Sequence, residues 1–321
     1  MIFFTSDLHF GHKNIINSCK RPFETIEEMD ETLIKNWNSR VKNGDIVYII
    51  GDLFWGKKPA KAYIPRLNGK KILIVGNHDS WLKNAVLSGD FECSGGLLEA
   101  KIQGKPITFC HYPMLEWRDS NEFGTKNLGF LVFGHIHNNF YDEYSILFQK
   151  PNALNAGVDV NGFMPVTFEE LQKNNENHVL SVLKRQDEKA LYLARKYHAY
   201  QVDKAGIAYV RHVEAVASAF DDEILRSVAL MHDLFEDTDI PREIIRENFS
   251  SEIFDAILAM TKSENEDYFD YIRRVGSNPL ARQVKLSDLR HNMDLSRLKE
   301  VTDRDLKRVE KYKAAYEMLS K

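Results

Sequence analysis

The sequence predicts two domains of different fold class, an α+β domain followed by an all-α domain. Two observations lead to this prediction. Short runs rich in Ile, Val, Phe and Tyr recur through the first half, each bounded by Gly, Pro, Asn or Asp, as is typical of strands. Beyond about residue 185 this β signal fades, and the segments follow the period of amphipathic helices. At 321 residues the chain is long enough for both domains.

Six runs predict the strands of the first half. In chain order they are MIFFTSD, DIVYIIGD, KKILIVGNHD, LLEAKIQGKPITFCHYP, FLVFGHIH and ALNAGVDV. Between the first two, Met29, Leu33, Ile34 and Trp37 recur at helical spacing, so a helix is expected there. We therefore assign the α+β domain to residues 1–172.

A linker is expected at 173–185, where KNNENHVLSVLKR is polar before it becomes helix-like. The all-α domain then spans residues 186–321, with amphipathic segments from EKALYLARKYHAYQ to DRDLKRVEKYKAAYEML. Pro241 and Pro279 fall near predicted helix starts, where proline is well tolerated.

Composition and charge exclude several classes of protein. The net charge of −4 gives no polycationic signature, so a long nucleic acid is not an expected partner. No apolar run approaches the 18 or so residues that a membrane span needs, and the start MIFFTSDLHFGHK does not resemble a signal peptide. Three widely spaced cysteines indicate no disulfide framework and favour a reducing cytoplasm.

Polar side chains follow the ends of the predicted strands. This first set comprises Asp7, His9, Asp52, Asn77, His78, Asp79, His111, His135 and His137. Loops at one edge of a sheet can converge, and a rigid scaffold positions them. Several imidazoles with carboxylates and one amide suit a pair of transition metals, and Asp52 is placed to bridge them. Arg21, in CKRPF, is a candidate contact for a phosphate group.

The series Asp-x-His, Gly-Asp, Gly-Asn-His-Asp, a lone His after a strand, and Gly-His-x-His resembles the calcineurin-like metallophosphoesterases over about residues 1–170. The resemblance implies a β-sandwich flanked by helices and a dinuclear centre of Mn, Fe, Zn or Ni that cleaves a phosphomonoester or phosphodiester through a metal-activated hydroxide. One metal would be held by Asp7, His9, Asp52 and His137. The second would be held by Asp52, Asn77, His111 and His135. His78, oriented by Asp79 or another carboxylate, would stabilise charge or protonate the leaving group.

A second set of metal-binding residue types lies in the helical half. It comprises His212, His232, Asp233, Glu236, Asp237, Asp288 and Asn292. If residues 221–237 form one helix, the spacing of four puts His232 beside Glu236 and Asp233 beside Asp237. Placing an adjacent His-Asp pair within an apolar helix is costly unless a partner satisfies it, and a metal ion does so.

The segments HDLFEDT and VKLSDLRHNM resemble the HD-superfamily phosphohydrolases, and more narrowly the RelA/SpoT-type alarmone hydrolases, over about residues 186–295. The resemblance implies one divalent metal, Mn by preference, bound by four side chains: His212, His232, Asp233 and Asp288. It gives Glu236 and Asp237 the activation of water, and Arg195, Lys196 and Asn292 contacts to the nucleotide. The usual Pro-Tyr-Ile-x-His is replaced by Ala-Tyr-Val-Arg-His at 208–212.

These patterns together predict a bifunctional metal-dependent phosphohydrolase. The first centre would act on a phosphate ester, and the second would remove phosphate or pyrophosphate from a nucleotide resembling (p)ppGpp. Two alternatives remain at this point. The first domain could process RNA ends or cyclic phosphates, or the helical half could sense a nucleotide and gate the phosphoesterase.

Overall fold

The computed structural model describes residues 1–84, 91–140, 144–297 and 300–321. They form two compact units. The first contains residues 1–121 and 127–182, and the second contains 122–126 and 183–321. The fold class predicted from the sequence is confirmed, since the first unit combines sheets with helices and the second is helical.

The first sheet of unit 1 is parallel throughout. Its strands lie in the order β1 (Ile2–Thr5), β2 (Ile46–Ile50), β3 (Lys70–Ile74) and β4 (Phe91–Cys93). The helices that connect or follow these strands are α1 (Lys13–Ser18), α2 (Ile26–Arg40) and α3 (Lys57–Tyr63). Because the strands are parallel, their carboxyl ends all lie at one edge of the sheet.

The second sheet of unit 1 has the order β5 (Leu97–Ile102), β6 (Lys105–Cys110), β7 (Phe130–Phe133) and β8 (Ala153–Asn155). Only the β5–β6 hairpin is antiparallel, so β6, β7 and β8 also end at a common edge. Helix α4 (Ser145–Phe148) precedes β8, and α5 (Phe168–Val182) ends the unit. The expected linker at 173–185 is therefore helical up to Val182.

Alternation along β1 and β2 separates two cores. Phe3 and Val47 pack with the apolar face of α2, which carries Trp37. Phe4 and Ile50 point to the other side, into a core shared with the second sheet. Successive side chains of a strand face opposite ways, so one sheet can be covered by helices on one face and by a second sheet on the other.

Unit 2 is built from nine labelled helices within the part of the chain that the structure describes. They are α6 (Gln186–Tyr197), α7 (Val210–Ala217), α8 (Glu223–Met231), α9 (Leu234–Asp237), α10 (Arg242–Asn248), α11 (Ser251–Met260), α12 (Tyr268–Gly276), α13 (Pro279–Met293) and α14 (Asp303–Ser320). Asn278 caps α13 through its side chain, and Pro279 occupies the first helical position, as its fixed φ angle favours. Among the described residues, no helix is both long and apolar enough to cross a membrane.

Candidate functional site

The strand ends of unit 1 bring the first set of polar residues together. Asp7, His9 and His137 each offer a ligand atom within 4.8 Å of the others, and so do Asp7, Asp52 and His111. Asp7 belongs to both groups, whereas Asp52, the expected bridge, belongs to the second. The convergence follows from the parallel strands, whose carboxyl ends share an edge of each sheet.

Asp52 lies between two imidazoles. Its Oδ2 atom is 3.5 Å from Nε2 of His9 and 3.4 Å from Nε2 of His111. Nearby, the Asn77 side-chain oxygen is 3.0 Å from Nε2 of His111 and 3.1 Å from Nδ1 of His135. Two neighbouring groups of donors therefore adjoin Asp52, one on the His9 side and one on the His111 side.

Five of the expected ligands have left-handed backbone. Their φ angles are between +52° and +73°, and the residues are Asp7, His9, Asp52, His135 and His137. This conformation is uncommon outside glycine and costs on the order of 1–2 kcal/mol per residue. Strained backbone of this kind clusters at functional sites, where the surrounding fold holds it in place. The strand ends are thus shaped to aim side chains, at a cost in stability.

The glycines before these residues permit close approach. A Cβ atom at Gly76 would lie 2.3 Å from Oδ1 of Asp52, and one at Gly134 would lie 2.5 Å from Oδ2 of Asp7. Both distances are far below ordinary van der Waals contact. The recurrence of glycine before Asn77 and His135 therefore has a packing reason, since a side chain there would collide with a carboxylate of the site.

The imidazoles of His9 and His111 each direct a ring nitrogen toward Asp52. Nδ1 of His111 donates to the Ile50 carbonyl at 2.8 Å, which leaves Nε2 facing Asp52. Both ring nitrogens of His9 are buried without a hydrogen-bond partner, and burial lowers the pKa of His9 to about 2. A neutral imidazole with an unpaired buried nitrogen is what a metal ligand requires. The donor set therefore fits divalent metals.

Arg21 lies beneath the centre, which corrects the expectation that it contacts a phosphate. Its guanidinium is buried and pairs with Asp159 through two hydrogen bonds of 2.8 and 2.9 Å. It also donates to the backbone carbonyls of Asp7 and Leu8. Asp159 in turn accepts Nδ1–H of His137 at 2.9 Å. Arg21 and Asp159 thus orient His137, and Asp159 is a residue that the sequence analysis missed.

Asp79 also has a different part from the one expected. Its carboxylate accepts the backbone N–H groups of Asp52, Leu53 and Gly76 and the indole N–H of Trp81, all at 2.8–3.1 Å. It therefore ties two loops together and does not orient His78, the neighbouring imidazole. Asp52 holds the main chain of His78, because its Oδ1 accepts the His78 backbone N–H at 2.8 Å. The imidazole of His78 remains 38% exposed, within 3.9 Å of Asp52.

The second set converges inside unit 2. His212, His232 and Asp288 are buried and offer ligand atoms within 4.8 Å of one another. Nε2 of His232 is 3.1 Å from Oδ2 of Asp233 and 3.7 Å from Oδ1 of Asp288. Nε2 of His212 is 3.2 Å from the same Asp288 oxygen and 3.6 Å from Asp233. The four expected ligands therefore surround one point.

The tautomer of His232 is fixed by its own helix. Its Nδ1 donates to the Ala229 carbonyl at 2.7 Å, so Nε2 carries the lone pair. That Nε2 atom is buried and has no hydrogen-bond partner. Holding the other ring nitrogen in this way is how proteins orient metal-binding histidines. The arrangement fits a single divalent metal.

The helix around His232 is not continuous, which corrects the spacing argument. Helix α8 ends at Met231, and α9 begins only at Leu234. His232 and Asp233 occupy the break, where Asp233 has φ −101° and ψ −1°. The break, and not an i to i+4 relation on one helix, lets two adjacent side chains turn toward the same point.

Neighbouring residues support the carboxylates of this cluster. The Tyr209 hydroxyl donates to Asp233 at 2.6 Å, so the tyrosine of Ala-Tyr-Val-Arg-His has a structural use. The buried Lys285 ammonium lies 2.8 Å from Asp288. Burial opposes ionisation of Asp288, but Lys285 outweighs it and, with His212, holds the pKa of the Asp288 carboxyl well below its usual range.

A cavity of about 360 Å³ adjoins this cluster. Its lining contains Asp233, Glu236, Asp237, Asp288 and Asn292 from the expected set, together with Lys204, Tyr209, Lys285, Arg308 and Tyr312, which the sequence analysis did not single out. Arg308 and Tyr312 are four residues apart on α14 and therefore lie on one face of it. Amphipathic spacing alone does not distinguish a face that lines a cavity from one that is simply solvated.

The two basic residues expected at the nucleotide lie elsewhere. Arg195 is paired with Glu214, with its guanidinium donating at 2.8 and 3.0 Å. The Lys196 ammonium lies 5.6 Å from the ring of its neighbour Tyr197. Neither belongs to the lining of the cavity, where the cationic side chains within the described ranges are Lys204, Lys285 and Arg308, which corrects that expectation.

Comparison with known proteins matches mainly the first unit. A model of the family described as calcineurin-like phosphoesterase matches residues 1–180. Uncharacterized protein MJ1445 of Methanocaldococcus jannaschii is 36% identical over 176 residues, which make up 54% of this chain and 89% of that protein. The Gene 66 protein of Mycobacterium phage L5 is 42% identical over 80 residues, 24% of this chain and 38% of the phage protein.

Two solved structures are also similar. One is described as the protein of unknown function AQ665 from Aquifex aeolicus. It is 26% identical, with a TM-score of 0.42, and the match covers 54% of this chain and 98% of that chain. The other is described as a metazoan ortholog of SpoT that hydrolyzes ppGpp. It is 22% identical, with a TM-score of 0.37, and the match covers 43% of this chain and 86% of that chain.

Proposed function

The chain belongs to the calcineurin-like phosphoesterase family and is a metal-dependent phosphohydrolase, and on this basis we propose that it carries two hydrolytic centres, one in each unit. The first would cleave a phosphomonoester or phosphodiester. The second would remove phosphate or pyrophosphate from a nucleotide resembling (p)ppGpp. The three unpaired cysteines suit the reducing cytoplasm that such nucleotides occupy.

The observation that carries the first half of the proposal is the position of Asp52 between two groups of donors. Its carboxylate lies 3.5 Å from His9 and 3.4 Å from His111. The family uses divalent metals. A pair of them, when bound, lowers the pKa of a water molecule and polarises the phosphoryl oxygens. Mn, Fe, Zn and Ni all suit imidazole mixed with carboxylate and amide oxygen.

His78 has the position of a proton donor to the leaving group. Its backbone is held by Asp52, whereas its imidazole is 38% exposed at the surface of the centre. A half-exposed imidazole can contact a substrate oxygen and remain in exchange with solvent. Protonation of a departing alkoxide by such a group contributes about 10²- to 10⁴-fold in rate.

In the second centre, Glu236 and Asp237 lie on α9, three and four residues after Asp233, and line the same cavity. We assign them to positioning and deprotonating the attacking water. Lys204 and Arg308 also line the cavity and would neutralise the phosphates of a nucleotide. A cavity of about 360 Å³ is within the range that holds small molecules.

The test is a comparison of two matched variants of the manganese-loaded protein. Asp52→Asn and Asp233→Asn each remove one charge from one centre and keep the side-chain shape. The substrates are p-nitrophenyl phosphate, its bis-ester, cyclic nucleotides, NADPH and guanosine tetraphosphate. We expect each variant to lose a different activity, and to lose bound manganese from its own centre as measured by elemental analysis. Asp255→Asn, an exposed change on α11, is the control.

Each outcome bears on a different part of the proposal. Loss of every activity in Asp52→Asn alone would contradict a second hydrolytic centre. In that case guanosine tetraphosphate that binds to unit 2 without turnover would favour the nucleotide-sensing alternative. Preferential cleavage of cyclic nucleotides, lost in Asp52→Asn, would favour the alternative in which the first centre processes cyclic phosphates or RNA ends.

A further inference from the structure

Two exposed aromatic side chains adjoin the first centre. Among the Trp, Tyr and Phe side chains that the structure describes, three are exposed to solvent: Trp55 (43%), Tyr112 (48%) and Tyr200 (52%). Trp55 and Tyr112 both contact rings of the metal-binding set, whereas Tyr200 belongs to unit 2. The other three tryptophans, Trp37, Trp81 and Trp117, are buried. An exposed tryptophan is thus specific to the surroundings of this centre.

Trp55 is held rigidly. Its backbone N–H donates to the Phe10 carbonyl at 2.8 Å, next to the bridge between Phe10 and Phe54. The imidazole of His12 lies parallel to the indole, with ring centroids 3.7 Å apart and an interplanar angle of 5°. His12 therefore covers one face of the indole, and the exposed area belongs to the opposite face and the edges. A ring fixed in this way offers contact area with little loss of entropy on binding.

The position of Trp55 relates it to one side of the reaction. Its ring is 4.7 Å from that of His78 and 6.4 Å from that of His9. Tyr112 instead lies 4.8 Å from His135 and 5.4 Å from His111. Since His78 is the group assigned to the leaving alcohol, Trp55 adjoins the leaving side of the substrate. Tyr112 adjoins the other group of donors and is equally exposed.

We propose that the exposed face of Trp55 stacks on the nucleobase of the leaving group, so that the first centre prefers phosphate esters of nucleosides. This inference rests on the phosphoesterase function proposed for that centre. Stacking on an aromatic ring accepts any of the bases, because every base has a π face. It supplies affinity of roughly ten-fold or more for a ligand with a base over one without.

The test compares two ligands that differ in the base. Adenosine monophosphate and ribose 5-phosphate share the sugar phosphate, and both are titrated into manganese-loaded protein. Binding is followed by quenching of tryptophan fluorescence and by inhibition of p-nitrophenyl phosphate hydrolysis. We expect adenosine monophosphate to bind about ten-fold more tightly and to quench the exposed Trp55. Trp55→Leu should remove both the preference and the quenching, and Trp55→Phe should retain most of the preference.

Tyr112→Leu is the matched control, because Tyr112 is equally exposed beside the same centre, and its preference ratio should equal that of wild type. An equal ratio in Trp55→Leu and wild type, or an equal loss in Tyr112→Leu, would overturn the inference. If the protein hydrolyses esters but binds both ligands equally well, the phosphoesterase function stands and stacking on Trp55 is rejected. If adenosine monophosphate quenches Trp55 but no ester is hydrolysed, stacking on Trp55 is supported and the phosphoesterase function is rejected.

Discussion

Replacing Gly76 by alanine should disable the first centre while leaving the fold in place. The added Cβ would lie 2.3 Å from Oδ1 of Asp52 and 2.7 Å from its backbone nitrogen. Ordinary contact begins near 3.4 Å, so the overlap is about 1 Å. Asp52 is fixed by its neighbours, since Asp79 accepts its N–H and its own Oδ1 accepts the N–H of His78. The overlap must therefore move the carboxylate or the loop that carries Asn77 and His78.

A displacement of about 1 Å at a catalytic group typically costs about 10²-fold in rate. We expect kcat/KM for p-nitrophenyl phosphate to fall by about that factor in Gly76→Ala, together with weaker manganese binding. Overpacking of this kind costs about 1–3 kcal/mol of stability, less than unfolding would require. The variant should therefore be folded, which circular dichroism and urea unfolding would establish alongside the kinetics.

Gly44→Ala is the matched control. Gly44 lies in the connection between α2 and β2, and a Cβ there would meet no atom within 4 Å. This change should alter stability by less than about 1 kcal/mol and leave kcat/KM unchanged. Wild-type kcat/KM in a folded Gly76→Ala variant would refute the argument that glycine is required there to bring the loop against Asp52.

Three further predictions concern the support of the two centres. Asp159→Asn should lower manganese affinity of the first centre by about 10- to 100-fold, measured by metal titration, because His137 loses the carboxylate that accepts its Nδ1–H; unchanged affinity would contradict that role. Burial raises the pKa of Asp30 to about 6, although the hydrogen bond that its carboxylate accepts from the Gly11 N–H acts to lower that pKa. A carboxyl whose pKa is raised on folding binds its proton more tightly in the folded state, so its contribution to stability is lost as pH rises from about 4 to about 6. Across that range Asp30→Asn should gain about 1–2 kcal/mol relative to wild type in urea unfolding, and parallel pH profiles would rule this out. Tyr209→Phe should weaken metal binding by unit 2 about ten-fold without changing hydrolysis of p-nitrophenyl phosphate, since only the hydroxyl that donates to Asp233 is removed.

That the candidate metal ligands of each unit lie close together could be predicted because they stand in strong local motifs. Apolar runs that end in glycine and then His, Asp or Asn place those side chains at strand ends, and parallel strands end at a common edge. The prediction therefore needed only that these loops converge at one edge, as the sequence analysis expected. The structure brings these residues together in two clusters, one that contains Asp52 and one that contains Asp288. That these residues bind metals, and which metal each would bind, stays a prediction.

Residues that act across long distances in sequence could not be predicted. Arg21 and Asp159 are 138 positions apart, and no local pattern links them. The short strand β4, Phe91–Cys93, also went unrecognised, because three residues are too few to show alternation. The break at His232 was missed because no proline or glycine marks it. There the tertiary position of the His232 and Asp233 side chains outweighs a helical propensity that favours continuity.

Both centres use the same physical device, although one is built on strand ends and the other at a break between helices. In each, a backbone carbonyl accepts a hydrogen bond from Nδ1 of a histidine. The carbonyl of Ile50 does so for His111, and that of Ala229 for His232. The other nitrogen thereby faces buried carboxylates. Unpaired buried groups destabilise a fold, so both units are expected to gain stability when divalent metals bind. Thermal unfolding with and without manganese should show this gain, and Asp52→Asn and Asp233→Asn should each remove it from one unit only.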